Sequence, residues 1–224
     1  MKYKKLVIFD LDQTLIDVVR FNSKAFELVF QKMFGIKSTF TKVNYPGKTI
    51  KDLVNEVAEL EKMKRLTRKQ VLDFIKLYEL KLKHTLPKNL DNYLLPGVRK
   101  LLKKLSKNYL LAIITGSPKH EVNKILKNTK LKKYFKIVLT GEDARNKKKL
   151  ARLAHKKADI IAKKHLKPIM IGDSTEDINA GRAINALTIG VTTGLHSRER
   201  LLNNKANYVF NSLENKSIYE TING

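Results

Sequence analysis

The stretch Val7-Ile8-Phe9-Asp10-Leu11-Asp12-Gln13-Thr14 sets two carboxylates and a hydroxyl where an apolar run ends. Alternate side chains of a strand share a face. Asp10 and Asp12 can therefore converge just beyond its carboxyl edge, where open α/β sheets bind ligands. Two acids so close need a cation or a shared proton to coexist, and phosphoryl transfer uses such a layout. Because acidic and hydroxyl residues also make ordinary turns and helix caps, the reading depends on what else converges there. A second apolar run, Lys167-Pro168-Ile169-Met170-Ile171, leads into the acidic turn Gly172-Asp173-Ser174-Thr175-Glu176-Asp177. A third, Leu110-Leu111-Ala112-Ile113-Ile114, ends in Thr115-Gly116-Ser117-Pro118. There Ser117 suits an N-cap and Pro118 a first helical position, which would aim free N–H groups and a helix dipole at the strand end. Gly116 leaves room for an oxyanion to approach.

The elements that would hold these turns are legible in the hydrophobic period. Apolar runs at 6–9, 110–114, 135–139, 167–171 and 187–191 read as strands. Helical stretches separate the later ones, which predicts a parallel sheet covered on both faces. Residues 17–93 contain no convincing strand. They carry amphipathic helices, one with Phe26, Phe30 and Met33, another with Ile50, Leu53, Val54 and Val57, and a third with Val71, Ile75, Tyr78 and Leu82 behind a Thr67-x-x-Gln70 capping box. Pro96-Gly97 marks the return to the sheet and opens a helix. An all-oxygen acidic site without cysteine or paired histidine favours Mg²⁺, and a hard cation lets a carboxylate approach a doubly anionic phosphate ester.

Asp10-x-Asp12-x-Thr14, Thr115, a later lysine and Gly172-Asp173-Ser174-x-x-Asp177 together resemble the four motifs of the haloacid dehalogenase-like hydrolase superfamily. Leu94-Leu95-Pro96-Gly97-Val98 and Gly190-Val191-Thr192-Thr193-Gly194 are similar to its phosphoglycolate phosphatase-like branch, as are Ser197-Arg198-Glu199 and Ala206-Asn207-Tyr208-Val209. The resemblance implies a Rossmann-like α/β core at 1–16 and 94–224 with an α-helical cap inserted at 17–93. It implies a phosphatase of a small phosphorylated metabolite, phosphoglycolate first among the substrates. Asp10 is then the nucleophile that becomes an aspartyl-phosphate, and Asp12 the general acid and base. Metal ligands are Asp10, the backbone carbonyl of Asp12, and Asp173, with Thr14 and Asp177 in support. Thr115, Gly116 and a lysine hold the phosphoryl oxygens. In the family that lysine commonly precedes proline; here Lys147-Lys148-Lys149 has none after it, and Lys148 is favoured, with Lys147 next. Gly47-Lys48-Thr49 resembles a cap loop, so Lys48 is the cap residue expected to meet substrate. Gln13 and Val18 depart from the residues common at their positions, glycine and serine.

Composition narrows the remaining readings. With 224 residues the chain can bury a substantial core. The absence of cysteine removes disulfide, thiol-nucleophile and thiolate-metal chemistry. The histidines at 84, 120, 155, 165 and 196 show no close ligand spacing and are expected to be surface or packing residues. No stretch approaches the roughly 20 apolar residues of a membrane span. The first strand starts so near Met1 that no signal peptide fits, and a cytoplasmic location is expected. The net charge of +25 would attract polyanions. Lysine, however, is spread along the whole chain and no recognition helix or base-stacking motif is present, so a phosphatase of nucleic-acid ends is the less favoured alternative. A phosphomutase shares the same four motifs, and a non-catalytic binding protein fits the complete set of acids least well.

Overall fold

The computed structural model describes residues 3–224. Strand β1 (Leu6–Phe9) is buried along its whole length because both faces of the sheet are covered. It lies at the centre of a parallel sheet with β2 (Leu110–Ile114), β3 (Ile137–Leu139), β4 (Pro168–Gly172), β5 (Leu187–Val191) and β6 (Tyr208–Phe210). The strand order is β3-β2-β1-β4-β5-β6, so the chain reverses its direction of travel across the sheet at β1, between β2 and β4. Ligands of doubly wound sheets bind beyond the strand ends at that reversal.

Alternation along the strands divides the core. Leu6, Ile8, Leu110, Ala112 and Ile114 pack on one face against Leu150, Ala151, Ala154 and Ala158 of α6 (Lys147–Ala162). Val7, Phe9, Leu111, Ile113, Ile169 and Ile171 face the other way, towards α4 (Val98–Leu105), α5 (Lys119–Asn128) and the apolar residues of the helical insert.

The insert between β1 and β2 is built on α1 (Val19–Phe34), α2 (Ile50–Leu60) and α3 (Arg68–Thr85). Its core is aromatic: Phe26 contacts Phe30, Phe40, Phe74 and Tyr78 with ring centroids 4.8–6.4 Å apart. Reciprocal capping boxes start two of these helices, Thr49 with Asp52 and, as the sequence predicts, Thr67 with Gln70. The two connections to the sheet run side by side. Asp17 N–H donates to the Tyr93 carbonyl at 2.9 Å and Leu95 N–H to the Leu15 carbonyl at 3.0 Å. The architecture is thus a Rossmann-like α/β core carrying an inserted α-helical cap.

Two strands differ in their bounds from the sequence reading, and one strand is additional. The third strand begins at Ile137, because Phe135 closes a short 3₁₀ turn over Leu131–Tyr134. Strand β4 begins at Pro168, a first-strand position where the missing N–H costs nothing, while the Lys167 carbonyl accepts from Leu6 N–H. Strand β6 was not expected: three residues with an exposed tyrosine give too short an apolar run to read as a strand.

Candidate active site

Asp10 leaves β1 with its N–H donated to the Ile171 carbonyl at 2.9 Å, which ties the first acidic turn to the strand that carries the second. The residue is 4 % exposed, and its carboxylate meets Lys147, whose Nζ lies 2.8 Å from Asp10 Oδ1 and 2.7 Å from Asp177 Oδ1. Asp177 is the third residue of α7 (Thr175–Arg182), and its other oxygen accepts from the Ser174 N–H and hydroxyl in a capping box. Thr14 Oγ1 donates to Asp173 Oδ1 at 2.9 Å. Gly172 and Gly194 give the acids their room, since a β-carbon at either would overlap the Asp177 or Asp173 carboxylate.

Burial and mutual repulsion dominate the electrostatics. Burial raises the Asp10 carboxyl well above the ordinary range, with Lys147 opposing and Asp177, Asp173 and Asp12 adding to the rise. Asp173 is pushed up to about 7 by burial and then by Asp177. Burial alone would lower Lys147, but Asp10 and Asp177 outweigh it and hold the ammonium charged. Asp10, Asp173 and Asp177 place carboxylate oxygens within 4.8 Å of one another with one lysine among them. Such an excess of buried hard-oxygen charge fits a divalent cation. Asp177 already has both oxygens engaged, which leaves Asp10 and Asp173 as the available side-chain donors.

Asp12 belongs to a second group. Its Oδ2 accepts from Ser117 Oγ at 2.6 Å and Thr115 Oγ1 at 3.2 Å, and its Oδ1 is buried without a partner. Burial raises its carboxyl, and the two hydroxyls partly offset that. Pro118, not Ser117, occupies the N-cap position of α5, which makes no side-chain cap. The helix starts one residue later than predicted, and the Ser117 hydroxyl turns to Asp12 instead. Gln13, between Asp12 and Thr14, adopts a left-handed φ of 58°, a conformation glycine takes without strain. Its carbonyl accepts from Thr193 Oγ1 at 2.5 Å, which helps to hold that turn.

Of the three consecutive lysines, Lys147 reaches the acids. It opens α6, whose N-cap Asn146 accepts from Lys149 N–H. At about 100° of rotation per residue the next side chain points elsewhere, and Lys148 is exposed. The expectation for Lys148 is corrected accordingly. Lys48 does reach the cavity wall, but its Nζ is held by both Glu56 oxygens at 2.5 and 2.6 Å. Gly116 uses its room against the protein itself: a β-carbon there would lie 2.7 Å from the Lys48 carbonyl.

Asp10, Asp12, Thr115, Gly116, Lys147 and Asp173 line a cavity of about 70 Å³ that the insert roofs with Phe40, Tyr45, Ile50 and Leu53. Three further polar residues stand in or behind this wall and were not singled out as site residues from the sequence: Asn22, Tyr78 and Glu121. The available signal was a polar residue on an otherwise apolar helical stripe, Asn22 before Phe26 and Glu121 before Ile125.

Away from this site, His155 and His165 do come together with Asp159, contrary to their spacing in sequence. His165 Nδ1 is 3.0 Å from Asp159 Oδ2, while His155 Nε2 is 2.9 Å from the Leu166 carbonyl. Lys5, Arg152, Lys156 and Lys167 line the same groove, a cationic setting that disfavours a divalent ion.

The sheet order, the acidic strand ends and the helical insert define a hydrolase of the haloacid dehalogenase-like class. The model of that family, haloacid dehalogenase-like hydrolase, matches residues 7–191, and the chain belongs to it. A phosphoglycolate phosphatase of Neisseria gonorrhoeae is 30% identical over 206 residues, covering 87% of this chain and 82% of that protein. A pyrophosphatase PpaX of Listeria monocytogenes is 27% identical over 203 residues, covering 87% and 86%. A crystal structure of β-phosphoglucomutase from Clostridium difficile shares the fold with a TM-score of 0.82 at 20% identity, over 98% of this chain and 97% of that one. The protein is a phosphatase of this family. Among the described residues no helix is long and apolar enough to cross a membrane.

Proposed function

We propose that the protein is a Mg²⁺-dependent phosphatase of a small phosphomonoester, working through an aspartyl-phosphate on Asp10. The observation that carries this reading is the division of the two acids. Asp10 is ion-paired with Lys147, whereas Asp12 is held by two hydroxyls with an oxygen left free.

In the first half-reaction an Asp10 oxygen attacks phosphorus as the ester P–O bond breaks, and Asp12 gives its proton to the leaving oxygen. The raised Asp12 carboxyl suits a group that must arrive protonated. In the second half, Asp12 takes a proton from the water that attacks the acyl phosphate, and Asp10 is released with inorganic phosphate. Lys147, Thr115 and the Gly116 N–H would stabilise charge on the phosphoryl oxygens. When bound by Asp10, Asp173 and the Asp12 carbonyl, a magnesium ion would supply further positive charge against the phosphate dianion. Thr14 orients Asp173, and Asp177 holds Lys147. We assign residues 1–16 and 94–224 to the catalytic core and 17–93 to the cap. The paired backbone connections at Asp17 and Leu95 support that division.

The test is phosphate release from a panel of small phosphomonoesters and from 3′- and 5′-phosphorylated oligonucleotides, with Mg²⁺ or EDTA, at low and high salt. Mg²⁺-dependent turnover of one small ester is expected. Preference for oligonucleotides that falls with salt would replace this reading by a nucleic-acid phosphatase drawing on the net charge of +25. Interconversion of phosphate isomers without net phosphate release would replace it by a mutase.

A further inference from the structure

Three side chains at the cap end of the cavity carry buried atoms that no group in the described structure answers: Asn22 Oδ1, the Tyr78 hydroxyl and Glu121 Oε2. Asn22 and Tyr78 line the cavity shared by Asp10 and Asp12, and Glu121 stands behind them, its Oε1 accepting from Asn22 Nδ2 at 2.7 Å. They come from α1, α3 and α5, so the cap and the core both contribute. Polar atoms buried in this way are normally satisfied, and a cluster left open at a cavity wall is where a ligand or water completes the bonds.

The neighbours limit what that ligand can be. The two cations in the cavity lining are already paired, Lys48 with Glu56 and Lys147 with Asp10 and Asp177. Neither lysine is left unpaired for a leaving-group carboxylate or a second phosphate. Such a group would add negative charge beside Asp10, Asp12 and Asp173, and as a pure acceptor it would leave Asn22 Oδ1 unanswered. A hydroxyl, by contrast, can donate to Asn22 Oδ1 and accept from the Tyr78 O–H.

We propose that Asn22, Tyr78 and Glu121 form a specificity site for a neutral, hydroxyl-bearing leaving group, and that they select against one ending in a carboxylate or phosphate. This rests on the phosphatase reading above and narrows its substrate to a small polyol or sugar phosphate. Glu121 is pushed up to about 8, first by burial and then by Asp12, so near neutral pH it carries a proton and adds a donor to the set. The alcohol produced is a neutral polyol, so the reaction that supplies the substrate is of the class that leaves a phosphate on a hydroxylated carbon chain.

The test compares glycerol 1-phosphate with propyl phosphate, which has the same carbon chain without hydroxyls, and with phosphoglycolate, using p-nitrophenyl phosphate to report phosphoryl chemistry alone. Wild-type kcat/KM for glycerol 1-phosphate should exceed that for each of the other two by about tenfold or more. Tyr78→Phe and Glu121→Gln should each cut the glycerol-to-propyl ratio by about tenfold, through KM rather than kcat. Equal turnover of the three esters, a preference for phosphoglycolate, or ratios unmoved in both variants would overturn the proposal and leave the three side chains as holders of buried water. Tyr78→Phe keeps the ring stacked among Phe26 and Phe74, so it decides the matter if Glu121→Gln does not fold. Failure of the wild type on all four esters, p-nitrophenyl phosphate included, would instead remove the phosphatase reading and this inference with it.

Discussion

The α-carbon of Gly116 sits against the backbone carbonyl of Lys48, so that a β-carbon added there would lie 2.7 Å from the oxygen. On the opposite side of the same loop, Gly47, at φ 74°, leaves room for Glu176. The cap loop is therefore in close contact with the turn at Gly116 and with the Glu176 side chain of α7, with a glycine at each contact. Gly116→Ala should push the loop off its seat, lowering stability by about 1–3 kcal/mol and melting temperature by a few degrees, and raising KM. A melting temperature equal to the parent's would mean that the loop does not rest there in solution.

Lys147 and Lys148 offer a direct comparison of neighbours. Lys147→Met removes the cation between Asp10 and Asp177 and should reduce kcat by roughly 10²–10³-fold. Lys148→Met changes an exposed side chain and should stay within about twofold of the parent. Steady-state kinetics of the two variants on one ester settles which lysine serves the site, and the reverse ranking would refute the assignment.

Asp10→Asn should abolish turnover while Mg²⁺ still binds, more weakly, through Asp173 and the remaining oxygens. An amide lacks the charge to attack phosphorus. Phosphate release paired with titration calorimetry of Mg²⁺ separates the two effects, and parental turnover in this variant would show that another group is the nucleophile.

Ser117→Ala deletes the shorter of the two hydrogen bonds to Asp12 Oδ2 and leaves the 3.2 Å bond from Thr115. A carboxyl free to turn should transfer its proton less often in the right direction, and kcat should fall several-fold to tenfold with little change in KM. A change confined to KM would place Ser117 on the substrate instead.

Glu121 gives the fold a pH dependence of definite sign. Asp12 faces it from the end of β1, Tyr78 from α3 and Asn22 from α1. Its carboxyl is raised to about 8 from an ordinary 4.5, so the folded state keeps a proton that the unfolded chain gives up at lower pH. Its contribution to stability is thus fully present below about 4.5, declines as pH rises, and is lost above about 8. Glu121→Gln should remove that decline. In denaturant melts the variant should gain on the parent between pH 5 and pH 8, and a constant difference would show that the carboxyl titrates normally.

Much of the arrangement could be read in advance because strand ends are punctuated chemically. The runs at 6–9 and 110–114 are uninterrupted and apolar, that at 187–191 is broken only by Thr188 and Gly190, and the structure gives all three those bounds. Asp10, Asp12, Thr14, Thr115 and Asp173 sit in the turns that follow strands, and Asp177 in the first turn of the helix after β4, so reading the strands brought them together. What escaped depended on angular phase or on distant partners. Three lysines in a row look alike until the start of α6 fixes which one turns inward. Ser117 has the composition of a cap, and only the placement of Pro118 at the N-cap frees its hydroxyl. Asn22 and Glu121 meet across helices far apart in the chain, which no local period reports.

The central position of β1 also bears on synthesis. Its partners are residues 110–113 and 168–171, so Leu6–Phe9 emerges from the ribosome long before either neighbour exists. Four consecutive apolar residues must wait unpaired while the helices of the insert, α1 to α3, which are all made before β2 and pack on one another, can already form. The nascent chain is thus most exposed to aggregation at its first strand, and the acids beyond that strand converge only when β4 closes the sheet.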